Sequence, residues 1–142
     1  MSERNKAIVR RAYEDVYSRG NLAIVEELVS SDFVVHLPAE DIHGPEALKG
    51  YVTALRDAFP DLEMAIDDQM ADGDMVVTRW TGRGTHTGAF QGLPPTGKRA
   101  TLSGVDIDRF VDGKAVECWA FSDDLGLMQQ LGAIPAPETA AH

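Results

Sequence analysis

Apolar positions in the first half of the chain recur at helical spacing. Val9, Tyr13 and Val16, with Ile8 and Ala12 beside them, make one stripe over residues 3–19, while Arg10, Arg11, Glu14 and Asp15 fall on the other side. Gly20 stops this helix, because glycine accepts the left-handed conformation that follows a last helical turn. Asn21 is placed to cap a second, short helix with Leu22, Val25, Leu28 and Val29 as its buried stripe. Residues 32–37 read as a short strand closed by Pro38, and 39–43 as a loop. Gly44-Pro45-Glu46 opens a third helix with proline at its first position; Leu48, Tyr51, Val52, Leu55 and Phe59 are its apolar face, and Pro60 ends it.

The period then changes from 3.6 to 2. Leu62, Met64, Ile66 and Met70 alternate with polar residues up to the turn Asp72-Gly73-Asp74, and a long strand runs from Met75 to about His86. A turn-rich loop spans 88–98; strands follow over 100–111 and 115–121, joined at Asp112-Gly113. Asp123 and Asp124 cap a short C-terminal helix marked by Leu125, Met128 and Leu131. Helices first and an antiparallel meander afterwards predict an α+β domain over 1–134, with a tail at 135–142 expected to fray. The last two strands are apolar on both faces: Val105, Ile107 and Val111 against Leu102 and Phe110, then Trp119 and Phe121 against Val116, Cys118 and Ala120. A sheet with one wet face should alternate cleanly. Helices on one side and a second copy on the other, a homodimer through the sheet, fit this pattern; a monomer that covers the face with its own chain is the alternative.

Composition narrows the function. Of 142 residues, 13 are Lys or Arg and 23 Asp or Glu, for a net charge of −10. Such a surface repels phosphate backbones and anionic lipid, so neither nucleic acid nor a membrane is an expected partner. A single cysteine, Cys118, allows no internal disulfide and suits a reducing, cytoplasmic setting. No apolar run reaches the roughly 20 residues of a membrane span, and the opening MSERNKAIVRR lacks the apolar centre of a signal peptide. The chain has no phosphate loop, dinucleotide fingerprint, nucleophile elbow or His-Glu-x-x-His pair. Its histidines, His36, His43, His86 and His142, show no zinc-ligand spacing, so no metal is expected.

Polar groups on apolar strand faces are the candidates for chemistry. Asp106 and Asp108 interrupt the face that carries Leu102 and Phe110. A carboxylate there is costly unless hydrogen-bonded, and desolvation raises its pKa towards the range useful for proton transfer. Asp106 is the first candidate for a catalytic group; a carboxylate paired with Arg109 or Arg79, or simply solvated, is the other reading, and for Asp108, nearer the turn, the preferred one. His36 shares a face with Val34 and either points inward as a proton shuttle or is a satisfied core histidine. Trp80, Tyr13, Tyr17 and Phe59 read as pocket wall or core. Cys118 lacks the basic neighbours that would activate a thiolate.

The stretch Gly84-Thr85-His86-Thr87-Gly88-Ala89-Phe90-Gln91-Gly92-Leu93-Pro94-Pro95-Thr96-Gly97-Lys98 is similar to the signature of the SnoaL-like polyketide cyclase (ester cyclase) family. Asn5–Tyr13, Ala58–Leu62, Val111–Lys114 and Leu125–Gly132 match it as well, so the resemblance runs from about residue 5 to 132. It implies a nuclear transport factor 2-like cone, with N-terminal helices packed on a curved, mixed, mainly antiparallel sheet, and a dimer of such cones. It also implies a deep apolar pocket and a cofactor-free intramolecular aldol reaction on a polyketide-like carbonyl compound, in which an aspartate removes and returns a proton. The position matching that aspartate is Ala120, and the position of the family's assisting histidine falls at or beside Asp106. The acid–base group has therefore either moved to Asp106 or been lost. In the first case Asp106 acts, with His36 as a possible partner and Trp80, Tyr13, Cys118, Ala120 and Phe59 around the substrate. In the second the protein binds small apolar molecules without converting them.

Overall fold

A computed structural model describes residues 2–135. The first helix, α1 (Ser2–Arg11), continues into a π-helical segment, Ala12–Ser18, where a regular helix was expected. Long-range bonds hold the wider winding: Arg56 donates to the carbonyls of Tyr17 (2.9 Å) and Ser18 (2.7 Å), which the helix leaves without partners, and the Ser18 hydroxyl accepts from Met64 N at 2.9 Å. A 3₁₀ turn at Leu22–Ile24 leads into α2 (Val25–Leu28). Asn21 precedes it without a capping side-chain bond, contrary to expectation; the turn is closed instead by Leu22 N on Gly20 O.

Strand β1 (Val29–His36) begins earlier than its alternation suggested, and 41–43, expected as loop, form a short strand β2 (Asp41–His43) paired with it. Next come α3 (Gly44–Ala58), β3 (Glu63–Asp72), β4 (Met75–Thr85), β5 (Arg99–Val111), β6 (Lys114–Ser122) and α4 (Asp124–Leu131). Pro45 opens α3 as predicted, and the Asp123 carboxylate caps α4 by accepting from Gly126 N at 2.9 Å. The tail expected to fray lies, apart from Pro135, outside the described residues.

The strands form one sheet in the order β2-β1-β6-β5-β4-β3, antiparallel throughout except for the parallel pair β1–β6. Helices cover one face. Val9, Tyr13, Val16, Leu28, Val52, Val76 and Phe110 meet in the larger core between helices and sheet; Ala58, Phe59, Leu62, Leu127 and Leu131 form a smaller core where α4 closes one end. The Gln130 amide fastens α4 to the sheet, accepting from Thr101 N and donating to Thr101 O, each at 2.8 Å. The opposite sheet face exposes Met70, Val105, Val111 and Phe121. None of the described helices is long and apolar enough to cross a membrane.

Candidate active site

Between helices and sheet lies a cavity of about 550 Å³, within the usual range for small-molecule sites. Alternation along β5 turns Leu102, Asp106, Asp108 and Phe110 towards it. Beside them on β6 stand Cys118 and Ala120, in register with Asp108 and Asp106, and Trp80 comes from β4. Tyr17, Tyr51 and Phe59 form the helical wall, and Phe90 and Gln91 reach the cavity from the loop after β4. Trp80 fits because its cross-strand partner is Gly104, where an added Cβ would lie 2.3 Å from the indole.

Asp106 is half-buried, and its two oxygens differ. Oδ2 accepts a short hydrogen bond from the Tyr13 hydroxyl; Oδ1 is buried without a partner. The Trp80 indole N–H, likewise buried with no partner at full hydrogen-bond geometry, faces the Asp106 carboxyl closely enough to favour its charged form, within a largely apolar wall. Burial pushes the Asp106 carboxyl above its ordinary pKa, against the opposing influence of Tyr13 and Trp80. Asp108, 8% exposed, is pushed up to about 8, first by burial and then by the neighbouring charge of Asp106. The solvated reading preferred for Asp108 from its nearness to the turn is therefore corrected. The ion-paired alternative fails for both acids, because odd-numbered positions face the other way: Arg79 approaches Asp67 (3.8 Å) and Arg109 Glu117 (3.3 Å) on the outer sheet face.

Burial and the two acids hold the Tyr13 hydroxyl and the Cys118 thiol well above their ordinary values. Tyr13 is thus a permanent donor to Asp106, a polar support where the sequence suggested only wall or core. Cys118 stays a thiol, as its lack of basic neighbours indicated.

His36 does not join this group. Phe33, Val35 and Leu37 are the inward positions of the chain here, so His36 lies on the outer face, and the inward orientation considered for it is corrected. Its Nδ1 meets Asp41 at 2.9 Å and its Nε2 meets Glu117 at 2.6 Å, while the ring stacks on Trp119. Glu117 first, then Asp41, raise its pKa, favouring the imidazolium that donates to both.

Another histidine has a role that spacing did not reveal. His86 is fully buried beside Phe59 and Phe90, and its Nδ1 accepts from Thr96 N at 3.2 Å. Backbone bonds from His86 N to Lys98 O and from Gly97 N to His86 O tie down both ends of the loop that carries Phe90 to the cavity. The clue was its place within the glycine-rich signature. Among the described residues no cluster of His, Cys, Asp or Glu is arranged to hold a metal ion.

The family description SnoaL-like polyketide cyclase matches residues 7–131. Among curated proteins, the aklanonic acid methyl ester cyclase DnrD of Streptomyces peucetius is 31% identical over 138 residues, covering 92% of this chain and 93% of that one. Among solved structures, AclR of Streptomyces galilaeus, described as a candidate hydroxylase, superposes with a TM-score of 0.88 at 30% identity, covering 99% of this chain and 88% of that one. IdmH of Streptomyces antibioticus, described as a candidate polyketide cyclase, gives 0.79 at 32% identity, with 90% and 98% covered. These likenesses carry the α+β cone fold, and the signature and the cavity described above lie within the matched region.

Proposed function

The chain belongs to the SnoaL-like polyketide cyclase family, and from that premise we propose that it performs cofactor-independent proton transfer on a small, mostly apolar, polyketide-like carbonyl compound. The observation that carries this reading is the Asp106 carboxyl, which lines the cavity, is raised in pKa by burial, and has Oδ2 held by Tyr13. Ala120 stands directly across the ladder from Asp106. Cross-strand neighbours have Cβ atoms about 5 Å apart, so a carboxyl moved from one to the other still serves the same part of the chamber. In an intramolecular aldol closure, Asp106 takes a proton from the carbon beside one carbonyl. The enolate attacks a second carbonyl of the same molecule, a carbon–carbon bond forms, and the alkoxide recovers the proton from Asp106. The sequence needs neither redox change nor a co-reactant. Trp80, Phe59, Cys118 and Ala120 exclude water and shape the bound chain, and His36, on the far face, takes no part.

Proton removal is read directly as α-hydrogen exchange. A neutral ketone or lactone selected by thermal shift is incubated in D₂O and followed by proton NMR. Asp106→Asn is expected to slow exchange on the order of a hundredfold or more while leaving binding in place; undiminished exchange would overturn the assignment. Ala120 favours a second reading, a binding module of the same fold, and binding by the wild type with no exchange across the panel would establish it.

The same proposal includes a homodimer through the outer sheet face, supported by the exposed Phe121, Val105 and Met70 on a surface otherwise rich in acids. Light scattering should report twice the chain mass for the wild type and the single mass for Phe121→Arg. A monomeric wild type at tens of micromolar would remove the dimer from the proposal.

A further inference from the structure

We propose that Asp108 is a second working carboxyl of the cavity: it keeps its proton and donates that O–H to the carbonyl oxygen of the bound compound, while Asp106 exchanges the proton on the adjacent carbon. This rests on the reading of the cavity as a carbonyl site. The geometry supports it in three ways. Asp108 is two residues from Asp106 on the same face of β5, so both acids address one chamber. Its cross-strand neighbours are Val76, fully buried on β4, and Cys118 on β6. Finally, no ion pair among the described residues includes it; Arg79 and Arg109 lie on the opposite sheet face, beside Asp67 and Glu117.

A carboxylate so placed would face a second acid with no cation to offset either charge, and the neutral form is the inexpensive one. Its value of about 8 agrees. A neutral carboxyl, however, is a hydrogen-bond donor in want of an acceptor, and its direct cross-strand neighbours are an alkyl side chain, Val76, and a thiol, Cys118, a weak partner. A ligand carbonyl supplies the missing acceptor. As the enolate forms, negative charge moves onto that oxygen, and a donor fixed in an apolar site strengthens just as the charge develops. No bond to the Asp108 proton is broken: the proton that moves is the one Asp106 takes and returns. The two acids thereby divide the work, one holding oxygen and the other serving carbon.

Carbonyl-labelled 2-tetralone, a neutral ketone with acidic α-hydrogens, reads the two roles separately in the full-length protein. Infrared difference spectra report hydrogen bonding to the C=O, and NMR in D₂O reports exchange. The wild type should lower the carbonyl stretching frequency. Asp108→Leu should abolish that shift and weaken binding about tenfold, the loss of one hydrogen bond; Asp108→Asn, still a donor, should keep most of both. Asp106→Asn should lose exchange and retain the shift. The titratable groups facing Asp108 are Asp106 on its own strand, Tyr13 and Tyr17 from the first helix, and Cys118 from β6; β4 presents only Val76. The phenols and the thiol stay protonated beyond Asp108, so the shift should fade in the wild type as pH rises through about 8 and persist in Asp108→Asn. An unaltered shift in Asp108→Leu, or a bound ketone with no shift in the wild type, would overturn the role of Asp108 alone. A wild type that fails to bind the ketone would sink the carbonyl reading itself, and this inference with it.

Discussion

At pH 8, Asp108→Asn is expected to unfold at a higher temperature than the wild type, and near pH 4 the two are expected to unfold together. The sign follows from proton counting. Folding lifts the Asp108 pKa from 3.8 to about 8, so between these values the folded chain holds a proton that the unfolded chain has released. Stability is then fully present below about pH 4, declines as pH rises through the window, and levels off beyond 8. That span, at about 1.36 kcal/mol per decade of proton affinity, sets a ceiling on the order of 5 kcal/mol. Asparagine has the same shape and donates as the neutral acid does, but never has to ionise. Asp106, also raised by burial, leaves the variant with a shallower slope of the same sign. Urea unfolding from pH 4.5 to 9 checks this: parallel curves for the two proteins would mean that Asp108 ionises freely in the folded state.

Gly88→Ala is expected to be among the most damaging single-methyl additions. The Gly88 backbone lies against the end of α3, where Thr87 N and Gly88 N both donate to Ala58 O at 3.1 Å. A Cβ would stand 2.0 Å from the Asp57 carbonyl oxygen and 2.8 Å from its carbon. Those atoms belong to a helix backbone and cannot swing aside as a side-chain tip can, so either the loop lifts or the helix end unwinds. Overpacking of this kind costs about 3 kcal/mol, or roughly 10 °C in midpoint for a chain of this size. Gly50→Ala is the control. It lies on α3 with nothing within 4 Å, and should be neutral or up to about 1 kcal/mol stabilising. A Gly88→Ala midpoint within a degree or two of wild type would show that the contact is not tight in solution.

Features that were legible in the sequence are those fixed locally. Asp112 and Gly113 adopt positive φ (50° and 81°), the tight hairpin that their dipeptide announces. That hairpin fixes the partnering of β5 and β6, and with it the common face of Asp106 and Asp108. Pro45 and Asp123 mark helix starts for reasons equally local. Parity is ambiguous where both sheet faces are apolar: Val34 and Val35 are equally good inward residues on paper, and His36 points inward only if Val34 does. Nearness to a turn predicts exposure for Asp108, whereas its neighbours Val76, Phe110 and Cys118 are all buried. The π-helical segment, the β1–β2 pair and the parallel β1–β6 ladder depend on partners distant in the chain, such as Arg56 beneath the first helix, which no local period reports. Tyr13 was recognisable as interior, but its bond to Asp106 spans 93 positions.

The ladder between β5 and β6 contains one irregularity. Phe110 pairs with Ala115 and Arg109 with Glu117, so Val116 has no opposite number. Ala115 and Cys118 therefore both point into the chamber although three positions separate them, and the inward set continues as Ala120 and Ser122. On an unbroken ladder the inward set after Ala115 would be Glu117, Trp119 and Phe121, two large aromatics and a charge occupying the space now open to a ligand. One strand thus encodes both a wall and a plug, and a single surplus residue selects the wall. Tolerance to length change should consequently be lopsided across divergent copies of this gene. Loss of a residue next to Val116 merely straightens the strand and leaves the inward set intact, whereas loss of Trp119 or Ala120 brings Phe121 inside.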